Sequence, residues 1–256
     1  MMIAAPHARP AATVVLVRDR PDGPPDLLLM ERAATMAFAP GALVFPGGAV
    51  DAADLLLAEQ MQISLPLDEA AARIAAVRET LEESGLGIAF PDDFPVEALA
   101  TMRQAMVEGA AFADLLTARG VTLDLHALVP FARWHPAMIE GATRVFDTRF
   151  YLARAPQGQE AQEDATENVH LLWTSAAAIL TRCDAGEGKV IFPTRRNLER
   201  LARFDSFVAI AAHAAAIPVE KVTPWMEERA DGRHLCIPDH LGYPVTSELL
   251  RRASRH

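Results

Sequence analysis

The sequence predicts an α/β protein with helices packed on a mixed sheet. Three observations lead there. The chain opens with two apolar, strand-like runs joined by a polar turn. A central helical stretch carries Ile74, Val77 and Leu81 at helical spacing. Strand-like runs then return before the chain ends in helix. Packing helices on a sheet buries both kinds of apolar face in one core.

Residues 13–18 (TVVLVR) are rich in β-branched side chains and read as a strand. Residues 22–25 form a turn and 27–30 (LLLM) the next strand, which makes a hairpin. Residues 43–45 are a short apolar run broken by Pro46, Gly47 and Gly48. Paired glycines permit unusual dihedrals and close approach of backbone to a ligand, and they equally suit an ordinary turn. Residues 51–65 read as a short helix and loop. A longer helix is expected over 66–84, with Ser64 or Asp68 as its cap and Gly85 ending it in a left-handed conformation.

Residues 91–123 read as an insertion holding helices over 96–106 and 110–118. There Met102 and Met106 serve packing. Strands are expected over 125–131, 144–153 and 169–173, with a polar, acidic loop at 157–166. A short helix begins over 175–181, and a single long helix is expected over 195–216. The tail reads as irregular with one or two strands. No long linker separates two cores, so the expectation is one domain over 1–256. It carries insertions around 49–68 and 91–123 and an extension around 183–256.

Composition narrows the function. The chain has 256 residues, 51% of them hydrophobic, and a net charge of -10. That balance argues against a nucleic-acid partner, which calls for a basic footprint. It permits a small anionic substrate where bound cations invert the local field. Two distant cysteines make neither a disulfide framework nor a zinc motif. His126, His135 and His170 form no local zinc pattern either. No long apolar segment suggests a leader or a membrane span, so a cytoplasmic protein with no membrane partner is expected.

The chemistry concentrates in AAVRETLEESGL, residues 75–86. At about 100° per residue, Glu79, Glu82 and Glu83 share one sector of the helix. Like charges at i,i+4 are unfavourable by roughly a few tenths of a kcal/mol. Acidic residues at a helix C-terminus also oppose its dipole. A hard cation relieves both conflicts, and Mg2+ or Mn2+ prefers such oxygen ligands. A solvated acidic face, partly neutralised by Arg78, is the other reading of these residues alone.

FPGG (45–48) together with RETLEESGL (78–86) resembles the Nudix hydrolase family. The family box is G-x5-E-x7-R-E-U-x-E-E-x-G-U, where U is a bulky apolar residue. Arg78, Glu79, Glu82, Glu83, Gly85 and Leu86 match its second half, with Thr80 at one U position. Gly48 resembles the opening glycine but stands 30 residues before Arg78, where the box has 14. Residues therefore look inserted within 49–68. Counted back from Arg78, the early glutamate falls near Ala70, and neither Asp68 nor Glu69 is given a role.

The resemblance implies an α/β/α sandwich with a mixed sheet, a helical insertion and a C-terminal helix. It implies that Glu79, Glu82 and Glu83 hold Mg2+ or Mn2+, with backbone at Gly47 and Gly48 close to the metal. Arg78 would orient a carboxylate such as Glu79. A base or further ligand would come from Glu160, Glu163, Asp164 or Glu167, of which Glu167 is best anchored, just before NVHLLW. Arg32, after LLLM, is a candidate phosphate contact. Arg195 and Arg196 oppose the dipole of the helix they open, so either a nearby anion or solvent accounts for them. Trp134 and Trp173 are expected in the core rather than stacked on a base.

The run LLLMERAATMAFAPGALVFPGGAVDAAD, with FDTRFYLA, LLW and IFPTRRNLERL, resembles the coenzyme A diphosphatase branch, whose box carries a long insertion. That implies cleavage of CoA or acyl-CoA to 3',5'-ADP and 4'-phosphopantetheine or its acyl form. The inserted helices could offer the pantetheine arm an apolar groove. ADP-ribose, nucleotide sugars and dinucleoside polyphosphates stay open as substrates. A noncatalytic nucleotide-binding module with this fold is the alternative of a different class. Homodimers occur in the family, so self-association is a further expectation.

Overall fold

The computed structural model describes residues 8–33, 39–135, 145–163 and 168–253. In chain order, β1 (Arg9–Arg18), β2 (Asp26–Arg32), β3 (Leu43–Val44) and β4 (Gly47–Ala49) precede α1 (Ala52–Met61) and α2 (Leu67–Ser84). Next come α3 (Val96–Val107), α4 (Phe112–Arg119), β5 (Val129–Trp134), β6 (Phe146–Arg154) and β7 (Asn168–Thr174). The chain continues with α5 (Ala176–Asp184), α6 (Phe192–Leu201), α7 (Phe207–Ala216) and β8 (Lys221–Val222). It then enters β9 (Trp225–Arg229), β10 (Gly232–Cys236) and β11 (Ser247–Leu249).

Among the described residues, β1 to β8 form one mixed sheet along the path β3-β2-β1-β6-β5-β8, with β4 also on β1 and β7 also on β2. The expected hairpin is present, with β1 and β2 antiparallel. β1 runs parallel to β6, and β5 parallel to β8. β1 is buried on both faces, which explains its continuous apolar run. Val14 and Leu16 face the layer holding α2, whereas Val15 and Val17 face α5, α6 and α7. Buried Ala70, Ala71, Ala72, Ala75 and Ala76 let α2 lie close against the first face.

The two inserted helices form as expected, with Leu99, Met102, Phe112 and Leu116 packed into the α2 layer. Four expectations need correction. The long helix over 195–216 is two helices. Asp19 Oδ1 takes the Phe207 N–H at 2.6 Å and Ser206 Oγ takes the Ala209 N–H, so a capped new helix starts there. The strand expected over 125–131 begins at Val129, because Asp124 accepts the His126 N–H and holds 125–127 in a 3-10 turn. Pro66 occupies the N-cap position of α2, not Ser64 or Asp68, and makes no side-chain cap bond. The tail folds as a separate three-stranded sheet, β11-β10-β9.

Asp147 ties the far side of the main sheet. Arg133 Nε and Nη2 donate to it at 2.8 and 2.9 Å, and Lys221 Nζ lies 2.8 Å away. Burial opposes the charge, but hydrogen bonds from Arg133 and Lys221 outweigh it and hold Asp147 down to about 2. A depressed carboxylate adds stability above its unfolded pKa, near 4, that is lost as pH falls through the folded value. Screening at the half-exposed Lys221 leaves a contribution on the order of 1 kcal/mol. Urea unfolding should therefore separate wild type from Asp147→Asn at pH 6, and the gap should close by pH 2.

Candidate active site

Sheet register builds the site. Gly47 and Gly48 pair with Thr13 and Ala12 of β1, which places β4 under the C-terminal half of α2. Gly85 ends α2 with φ 73, the left-handed conformation its sequence position called for. The last two turns of the helix thus present Glu79, Glu82 and Glu83 beside the paired glycines.

Arg78 organises the carboxylates. Its Nε and Nη2 donate to Asp54 Oδ1 and Oδ2 at 3.0 and 2.9 Å, a bidentate fork. Its Nη1 donates to Glu79 Oε1 at 2.7 Å and reaches Glu82 Oε2 at 3.5 Å. Nη2 also donates to the Ala49 carbonyl at 3.1 Å, joining the fork to β4. Asp54 is 2% exposed, and its Oδ2 also takes the Asp51 N–H at 2.8 Å. Glu83 is buried and accepts the Gly47 N–H at 2.8 Å.

Burial raises the Glu79 carboxyl despite the opposing charge of Arg78. Burial, and then the negative charge of Glu79, pushes Glu82 up to about 7. Burial works against the charge on Arg78. Its hydrogen bond to Asp54 and the charges of Glu79 and Asp54 nevertheless hold it above its ordinary value. One guanidinium is thus surrounded by a surplus of carboxylate.

Arg195 and Arg196 stand on α6, across the sheet from α2. Arg195 Nη2 donates to Asp184 at 2.6 Å, and Arg196 Nη2 to Glu199 and Glu248 at 2.8 and 3.2 Å. Arg32 ends β2, where its backbone N–H meets the Ala42 carbonyl. Glu160 and Glu163 lie in the loop before β7, where Glu163 Oε1 accepts the Leu171 N–H at 3.4 Å. Asp164 and Glu167 lie outside the described residues. Trp134 is buried and donates to the Tyr243 hydroxyl at 3.0 Å, as a core residue should. Trp173 carries the Arg18 guanidinium over its ring.

The family model described as the NUDT19 Nudix domain matches residues 56–201, more than half of the chain. The chain belongs to this Nudix family. A crystal structure of a NUDIX hydrolase from Alicyclobacillus acidocaldarius is 31% identical and superposes with a TM-score of 0.71. That match covers 82% of this chain and 97% of the other. Acyl-coenzyme A diphosphatase NUDT19 of Gallus gallus is 26% identical over 93% of this chain and 80% of its own length. The Homo sapiens protein of the same name is 25% identical over 98% of this chain and 80% of its own length. The chain is a Nudix-fold hydrolase, and the general reaction is hydrolysis of a nucleoside diphosphate-linked substrate.

Sequence reasoning missed Asp54, the anchor of this Nudix site. Counting forward from Gly48 rather than back from Arg78, the acidic box position falls on residue 54, where an aspartate stands. The additional residues then lie between Asp54 and Arg78, in the rest of α1 and the start of α2. Among the described residues, no three His, Cys, Asp or Glu side chains already converge as a ligand set. Glu79 and Glu83 are instead held by Arg78 and by the Gly47 N–H. The donor chemistry nonetheless fits a hard divalent cation: three carboxylates stand within two turns, and Glu82 is raised by burial and then by the charge of Glu79.

Gly48 shows how close the packing is. A Cβ there would collide with the Glu79 carboxyl group. Gly48→Ala should therefore displace that carboxylate. We expect turnover to fall by about 10²-fold, the scale of an ångström-level misplacement. Circular dichroism and a melting curve should show the fold retained. Wild-type turnover in the Gly48→Ala variant would contradict the assignment.

Proposed function

We propose that this chain hydrolyses the diphosphate of CoA or acyl-CoA, using Mg2+ or Mn2+ held by Glu79, Glu82 and Glu83. The observation that carries the metal assignment is the Arg78 fork. It is fixed on buried Asp54 and sets Glu79 and Glu82 beside the β4 glycines, where Gly47 holds Glu83. The bound cation supplies Lewis acidity toward the diphosphate and a more acidic water. Arg78 orients Glu79, and the Gly47 N–H orients Glu83. Attack of water on phosphorus breaks one P–O bond of the bridge, giving 3',5'-ADP and 4'-phosphopantetheine or its acyl form.

The substrate choice is supported by two relatives named acyl-coenzyme A diphosphatase, each aligned over more than nine-tenths of this chain. A panel of CoA, an acyl-CoA, ADP-ribose and a nucleotide sugar with Mg2+ tests it. The proposal expects CoA or acyl-CoA to give the highest kcat/KM. Rapid cleavage of ADP-ribose with both CoA and the acyl-CoA left intact would overturn the substrate. Tight binding across the panel without turnover would overturn hydrolysis.

A further inference from the structure

We infer that Arg103 is a positioning residue for the reaction, locking the last turn of the glutamate helix to the loop at 157–163. The inference rests on the metal-dependent reading above. Arg103 stands on α3, in the helical insertion and 20 residues beyond Glu83 in sequence. Its Nε donates to the Glu82 carbonyl at 2.9 Å, and its Nη2 to the Glu83 carbonyl at 3.3 Å. Nη2 also donates to the Gln162 carbonyl at 3.0 Å. One planar fork therefore holds the backbone of two site glutamates and the loop together, a geometry a lysine ammonium cannot reproduce.

The helix end requires such a partner. The last carbonyls of a helix have no intrahelical donor, and they carry the negative end of its dipole. The last turn of α2 has no basic residue of its own, and it carries Glu82 and Glu83 just before Ser84. The conflict between acidic residues and helix dipole is thus relieved from outside the box. Gly85 lies beside Arg103: a Cβ there would stand 3.4 Å from Arg103 Nη1, in ordinary contact. The loop adds two bonds of its own. Gln162 N–H donates to the Ser84 carbonyl at 2.8 Å, and Gln159 Oε1 accepts the Gly87 N–H at 2.8 Å. Arg103 closes this cluster and makes the insertion part of the site's scaffold.

Arg103→Met and Arg103→Lys in the full chain test the inference. For Arg103→Met, kcat on the preferred panel substrate should fall about 10- to 100-fold while KM stays near wild type. Mn2+ affinity without substrate, read from free Mn2+ by electron paramagnetic resonance, should weaken at least threefold. Hydrogen exchange should quicken at residues 82–87 and 159–163. Arg103→Lys should recover part of each effect. Wild-type kcat, Mn2+ affinity and exchange in Arg103→Met would overturn the role. If Arg103→Met does not fold, Arg103→Lys decides: weakened Mn2+ binding at unchanged KM supports the role, and wild-type values overturn it. The metal reading has its own control in Glu83→Gln with Arg103 intact. If wild type binds no Mn2+ and cleaves no diphosphate, that reading fails, and hydrogen exchange alone still decides whether Arg103 holds the helix to the loop.

Discussion

Glu83→Gln should lower diphosphate hydrolysis by about 10³-fold while the protein stays folded, the scale expected when a charged group acting on the transition state is removed. The side chain is buried and accepts the Gly47 N–H at 2.8 Å. Glutamine preserves its length and an acceptor oxygen, so the link between α2 and β4 persists. What disappears is the negative charge offered to the cation. Steady-state turnover over a range of Mg2+ concentrations, beside a thermal melt, separates the two effects. A melt unchanged within a few degrees with turnover nearly abolished is the expected pair of results. Turnover within about threefold of wild type would remove Glu83 from the metal site.

Asp54→Ala should be the most destabilising change near the site, costing about 3 kcal/mol. Asp54 is 2% exposed, and removing it leaves the largely buried Arg78 without its bidentate partner. Breaking a buried ion pair from one side typically costs about 3–5 kcal/mol, because the remaining charge stays desolvated. The lower figure is apt here, since Arg78 keeps Glu79 and the Ala49 carbonyl. Activity should fall as well, because the bidentate fork that fixes how Arg78 presents itself to Glu79 is lost. Urea unfolding of Asp54→Ala, Arg78→Met and the double variant measures the coupling. The double variant should be clearly less destabilised than the sum of the singles. Simple additivity would show that the fork does not act as a unit.

Much of the fold was legible because its signals are local. β-branched runs marked β1, and helical spacing of Ile74, Val77 and Leu81 marked α2. Gly85 marked the end of α2, and the phase of Glu79, Glu82 and Glu83 marked the acidic sector. β4 was not legible as a strand, because Gly47 and Gly48 have no side chains to alternate. The break between α6 and α7 was hidden by Leu201, Phe204 and Phe207, whose spacing continues a helical pattern through the turn. The contact of Asp19 with Phe207, 188 residues away in sequence, joins the Ser206 cap in fixing the new start. Asp54 escaped because the box was counted from the wrong side of its insertion. Arg103 carried no sequence signal, since its partners are backbone carbonyls, which every residue has.

We propose that Glu79, Glu82 and Glu83 together hold a divalent cation for hydrolysis. A Mn2+ titration followed by electron paramagnetic resonance tests it most directly, comparing wild type with the variant carrying Glu79→Gln, Glu82→Gln and Glu83→Gln. Wild type should bind Mn2+ saturably, in competition with Mg2+, and the triple variant should bind none. Equal Mn2+ binding by a folded triple variant would contradict it.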